Sequence, residues 1–234
     1  IYTSGLNRVQ AISSGNLTIK NGTINATNYA LQAQDDATLT VEKDVNIVVA
    51  TKEDESKYGI TMWDNAILNF EGNIEVKGNG YGISGNGGYP QNTQINITDG
   101  TITATDGAAL YLPQTGTTTI TGGTLIGNTT IGIKAGVLNI TGGKLTATGD
   151  KKDPVVISNG FNYTGDVIYV EENKDYQDNI SIDITGSTLT STNGYIIQEI
   201  NPTLGTTNEL TATITGLYST KNLITGTTNR FFYN

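Results

Sequence analysis

The sequence predicts an all-β protein, a three-sided parallel β-helix of about eight rungs. Three observations predict it. A short alternating triplet recurs along the chain, a tight corner follows it at one register, and the composition is that of strands and turns. Among 234 residues there are 39 Thr, 29 Gly and 25 Asn, but only 13 Lys and Arg together. Thr suits a pleated surface, while Gly and Asn suit corners with positive φ.

The first strand of nearly every repeat reads apolar–polar–apolar. It recurs as Leu17-Thr18-Ile19, Leu39-Thr40-Val41, Leu68-Asn69-Phe70, Ile95-Asn96-Ile97, Thr118-Thr119-Ile120, Leu138-Asn139-Ile140, Ile182-Asp183-Ile184 and Ala212-Thr213-Ile214. Successive side chains on a strand point to opposite faces, so one face is dry and the other wet. A corner follows within a residue or two: Asn21-Gly22, Lys43-Asp44, Glu71-Gly72, Asp99-Gly100, Gly122-Gly123, Gly142-Gly143 and Gly186-Ser187. Most of these pairs tolerate or seek positive φ.

The second strand comes next, at Thr23-Ile24, Asn46-Ile47, Asn73-Ile74, Thr101-Ile102, Thr124-Leu125, Lys144-Leu145 and Thr188-Leu189. The third follows a variable gap, at Tyr29-Ala30-Leu31, Tyr58-Gly59-Ile60, Tyr81-Gly82-Ile83, Ala108-Ala109-Leu110, Ile131-Gly132-Ile133 and Tyr195-Ile196-Ile197. The last residues of the first strands lie 20 to 30 positions apart, except for one interval of 44 between Ile140 and Ile184. That interval predicts one rung plus an insertion over roughly residues 150–163, or an irregular double turn. A single rung cannot bury its apolar edge, so stability comes from stacking. The whole of 1–234 reads as one β-helix domain, with 1–14 and 217–234 as caps or fragment ends. The chain opens on Ile1 with no signal peptide and reads as a mature fragment or excised domain of a larger protein.

A net charge of −9 speaks against nucleic acid and against an anionic membrane surface as partner. No apolar stretch has the length of a membrane span. The absence of Cys and His removes thiolate chemistry, the commonest general base and the commonest zinc ligand.

The runs Ile97-Thr98-Asp99-Gly100-Thr101-Ile102, Ile120-Thr121-Gly122-Gly123-Thr124-Leu125 and Ile140-Thr141-Gly142-Gly143-Lys144-Leu145 resemble the T-G-G-T-[IL] repeats of pectate-lyase-like right-handed β-helix domains. Such domains occur in bacterial, Firmicutes-type cell-surface and adhesin proteins. The resemblance extends from about Asn16 to Ile214. With the right-handed preference of parallel crossovers, it implies a right-handed coil. It further implies an extracellular location and a glycan or host-surface ligand. The same fold also hosts polysaccharide lyases and glycoside hydrolases, and a purely structural stalk is a third reading.

Several motifs carry candidate chemistry. The pair Asp35-Asp36 matches the acid–base position of β-helix hydrolases, but lacks their histidine and reads first as a solvated turn. Lys134, just after a third strand, is the interior candidate for a lyase base and reads first as a solvent-facing charge. Leu112-Pro113-Gln114-Thr115-Gly116 spells a sortase-like motif, yet its place predicts an inward Leu112 followed by a turn. The carboxylates Asp150, Asp153, Asp166, Glu171, Glu172, Asp175 and Asp178 form an acidic stretch where calcium could bind, although a solvated loop is the plainer reading. No cofactor is expected otherwise.

The corner after the third strand carries the ligand-binding prediction. Stacked along the coil it presents Asp35 and Asp36, Trp63 and Asp64, Tyr89, Tyr111 and Gln114, and Lys134. Flat aromatic faces flanked by carboxylates and amides are what a sugar needs. The column Tyr29, Tyr58, Tyr81 and Tyr195 predicts an internal aromatic stack instead.

Overall fold

The computed structural model describes residues 2–3, 9–11, 14–50, 57–87, 92–157, 159–172, 175–176, 179–200, 210–215 and 224–226. Among these residues every regular element is a strand, and the strands join in one sheet by parallel pairings. Parallel register sorts them into three columns, the pattern of a β-solenoid.

In the first column Leu17 stands beside Leu39, and the row continues through Leu68, Ile95, Thr118, Leu138, Ile182 and Ala212. These are the predicted first strands in the predicted register. The second column aligns Ile24, Ile47, Ile74, Ile102, Leu125, Leu145 and Leu189. The third aligns Val9, Leu31, Ile60, Ile83, Leu110, Ile131, Ile168, Ile197 and Ile224. From Ile24 to Ile197 the apolar members of these rows are almost fully buried and join one continuous core. Each such Ile or Leu contributes roughly 1.5–3 kcal/mol over leaving it exposed. On the wet side, amides pair up the column, as where Asn96 Nδ2 donates to Asn69 Oδ1 at 3.1 Å.

The corner between the first and second columns is made in two ways. In the middle of the chain it turns on Gly100, Gly123 and Gly143, with φ of +88°, +82° and +89°. A Cβ on Gly100 would lie 1.9 Å from the carbonyl oxygen of Gly72 on the preceding turn, so both conformation and stacking demand glycine. In the earliest repeats, Asn16–Ala26 and Thr38–Val49 run through the corner as single strands, with a register shift between Ile19 and Asn21. There a bulge does the bending.

Two expectations about the third column are corrected. Thr129, not Ile131, stands opposite Ala108, and Ile131 takes the register of Leu110. A further third-column strand, Ile168–Glu171, was not foreseen. The long interval therefore holds one full repeat plus an insertion, residues 148–167, between Lys144–Ala147 and Ile168–Glu171. Leu112 does face the core, with Pro113 and Gln114 buried beyond it. The predicted end segments 1–14 and 217–234 lie mostly outside the described residues.

Candidate functional site

Along the third column one row of residues faces away from the core: Gln32, Thr61, Ser84, Tyr111, Gly132, Tyr169 and Gln198. A second row, nearer the start of each strand, runs Tyr29, Tyr58, Tyr81 and Ala108. The insertion folds over this surface. Phe161 lies on Gly132, where a Cβ would meet its ring at 2.3 Å. Its ring centroid is 5.9 Å from Tyr81, 5.6 Å from Tyr111 and 5.7 Å from Tyr169. Tyr163 meets Phe161 edge-on at 5.4 Å and donates to Asn79 Oδ1 at 2.6 Å. The result is a second hydrophobic cluster, separate from the core inside the columns.

The tyrosine column is thus a real stack, but it lies outside the main core. Tyr29 and Tyr58 stack at 4.8 Å and 5°, Tyr58 and Tyr81 follow at 5.7 Å, and Tyr81 and Tyr111 at 4.9 Å. Tyr195 stands apart, with Lys151 Nζ donating to its hydroxyl and lying 4.1 Å from its ring centroid. Between the ladder and the insertion opens a cleft of about 550 Å³. It is lined by Tyr29, Tyr58, Thr61, Trp63, Tyr81, Ser84, Gly85, Asn86, Gly87, Tyr111, Pro113, Asn159, Gly160, Asp175 and Tyr176. That volume is in the range of small-molecule sites. At its floor the Tyr111 hydroxyl accepts from Gly160 N at 3.1 Å and lies 3.4 Å from the Tyr176 hydroxyl.

Burial pushes the Tyr81 hydroxyl up to about 12 and raises those of Tyr111, Tyr163, Tyr169 and Tyr176 as well. These phenols stay protonated at neutral pH and serve as hydrogen-bonding groups, not anions. Tyr81 stacks on Tyr111 and Phe161, and Tyr169 on Phe161. Trp63, which lines the cleft, is 37% exposed.

Of the eight predicted ligand-binding residues, the seven that are described separate into four groups. Trp63 and Tyr111 both line the cleft. Asp35, Asp36 and Asp64 belong to a stacked turn at the end of the third strand. Asp35 and Asp64 take left-handed φ of 56° and 57°, a conformation Asp tolerates. Asp35 N donates to Asp64 Oδ2 at 3.3 Å, and Asn65 Nδ2 donates to Asp36 Oδ1 at 3.0 Å. Gln114 is buried, packed against Gly85. Tyr89 lies outside the described residues.

Lys134 forms the fourth group and corrects the expectation of a solvent-facing charge. It is 1% exposed, with Nζ 2.9 Å from Glu171 Oε1, donating to Ile157 O at 2.7 Å and 4.9 Å from the Tyr176 ring centroid. Burial pushes its ammonium down and Glu171 holds it up. Lys134 is not among the residues that line the cleft.

The acidic stretch is likewise not one loop. Asp166, Glu171 and Glu172 are buried, while Asp150, Asp153 and Asp175 are exposed; Asp178 lies outside the described residues. Asp166 accepts from Thr164 Oγ1 at 2.5 Å and from Tyr195 N at 2.6 Å, and burial raises its carboxyl to about 6. Among the described residues no three potential ligands gather into a cation cage.

Sequence reasoning missed the far wall of the cleft: Asn159, Gly160, Asp175 and Tyr176. The available signal was Gly132, a gap in an otherwise side-chain-bearing row. Set against protein-family models, curated proteins and solved structures, the chain matches none.

Proposed function

We propose that the three columns close into a right-handed, three-sided parallel β-helix of about eight rungs that acts as a non-catalytic carbohydrate-binding module of an extracellular adhesin. The pectate-lyase-like resemblance of the Thr-Gly-Gly repeats belongs to the same reading. The observation that carries it is the exposed indole of Trp63 at a polar cleft already walled by tyrosines. An aromatic face carries negative charge density and an edge positive, so the C–H face of a pyranose packs on the indole. Around it Thr61, Ser84, Asn86, Asn159 and Asp175 supply partners for sugar hydroxyls. An exposed aromatic beside a formed cleft is a contact site in search of a ligand.

The polysaccharide lyase or hydrolase reading has less behind it. Its lysine candidate, Lys134, is enclosed and ion-paired, and Asp175 stands as the charged residue of the cleft lining among the described residues. The stalk reading explains the stacked columns but leaves the cleft without a role. Trp63→Ala decides between binding module and stalk. It is expected to weaken binding on a glycan array at least about tenfold, or 1.4 kcal/mol, with an unchanged far-ultraviolet circular dichroism spectrum. Equal binding by both proteins would sink the site.

A further inference from the structure

Resting on that glycan-binding reading, we infer that the cleft selects short uncharged glycans and discriminates against polyuronates, sulfated chains and other anionic polysaccharides. Among the described residues, the lining holds hydroxyls, amides and aromatic rings with Asp175 as its formal charge, and no Lys or Arg. Asp64, next in sequence to Trp63, takes part in the turn that also carries Asp35 and Asp36. Three lysines among the described residues are already engaged or buried. Lys134 is enclosed and paired with Glu171, Lys57 is buried at the head of its strand, and Lys151 is held by Tyr195.

Carboxylate and sulfate recognition calls for the charged fork of Arg or the ammonium of Lys. Neutral sugar hydroxyls donate and accept at once, and so do Thr, Ser, Asn and protonated Tyr side chains. The lining matches the second chemistry and repels the first. With a net charge of −9, the long-range field adds to the local one.

Length follows from the same lining. The cleft touches four successive third-column strands, from Tyr29 through Tyr58 and Tyr81 to Tyr111. Three strand spacings of about 4.8 Å give roughly 14 Å along the stacking direction. A ligand lying along it is an oligosaccharide stretch of a few sugars, with one ring on Trp63.

The test is an array of neutral and anionic glycans probed with the whole chain, followed by calorimetry on the best binder of each class. Wild type, Trp63→Ala and Asp175→Asn are compared at low and near-physiological salt. The expected result is Trp63-dependent binding of neutral glycans that changes little with salt. Anionic glycans should bind at least about tenfold more weakly, most of all at low salt where repulsion is least screened. Asp175→Asn should narrow the gap between the classes severalfold. Trp63-dependent binding of an oligogalacturonate or sulfated glycan as tight as the best neutral one would overturn the selectivity while leaving the glycan site standing. No Trp63-dependent binding in either class would overturn both.

Discussion

Lys134 shows how little a single residue discloses about its own surroundings. In sequence it is a lysine after a strand, and in the fold it is 1% exposed with Glu171 at 2.9 Å. Taking both charges out of water costs several kcal/mol each, and their attraction offsets this only while both remain. Lys134→Ala should therefore destabilise the protein by about 3–5 kcal/mol, because it strands a buried carboxylate. Lys134→Met combined with Glu171→Leu should recover most of that loss. Urea unfolding of the three proteins checks it, and a Lys134→Ala cost below about 1 kcal/mol would show that water reaches the pair. The sequence could not show this because Glu171 comes from the strand beyond the insertion, level with Lys134 only once the columns are in register. The turn residues were more legible. Asp35 and Asp64 advertise a left-handed corner by their residue type, and the structure puts both there. The position of Trp63 was legible from register, which places it at that corner.

At the level of elements, parity of side chains made the first and second columns and most of the third readable, and failed at Ile168–Glu171. Alternation survives only where one face is wet. The insertion covers the outer face at Ile168–Glu171, so Ile168, Tyr169 and Val170 are all fully buried and the period of two vanishes. The missed strand and the Asn159 and Gly160 part of the cleft wall share one cause, an insertion whose fold-back no alternating pattern encodes. Gly132 and Phe161 are the joint. Gly132→Ala places a Cβ 2.3 Å from the Phe161 ring and should cost about 1–3 kcal/mol by forcing the insertion outward. In a Phe161→Ala background, itself destabilised by about 3 kcal/mol, the same change should cost almost nothing. A double-mutant cycle in urea reads the coupling directly. Strictly additive costs would mean that Phe161 does not rest on Gly132 in solution.

For the whole molecule, the parallel columns make stability a matter of neighbours. Each interior first-column strand pairs with the one before and the one after, so Thr93–Ile97 touches Ile67–Phe70 on one side and Gly116–Ile120 on the other. In such an array stability is close to a sum of unit terms and nearest-neighbour interfaces, and opening spreads outward from a weak point. Ile97, with no exposed surface between Phe70 and Ile120, is a suitable weak point to create. Ile97→Ala should cost about 2–5 kcal/mol through the cavity it leaves. Native-state hydrogen exchange locates where that cost falls. Protection should drop most for amides in Ile67–Phe70, Thr93–Ile97 and Gly116–Ile120, and least for Ile180–Thr185, two strands further along the same column. If protection instead falls by the same amount everywhere, the chain unfolds as one unit, and the columns behave as a single cooperative core despite their one-dimensional pairing.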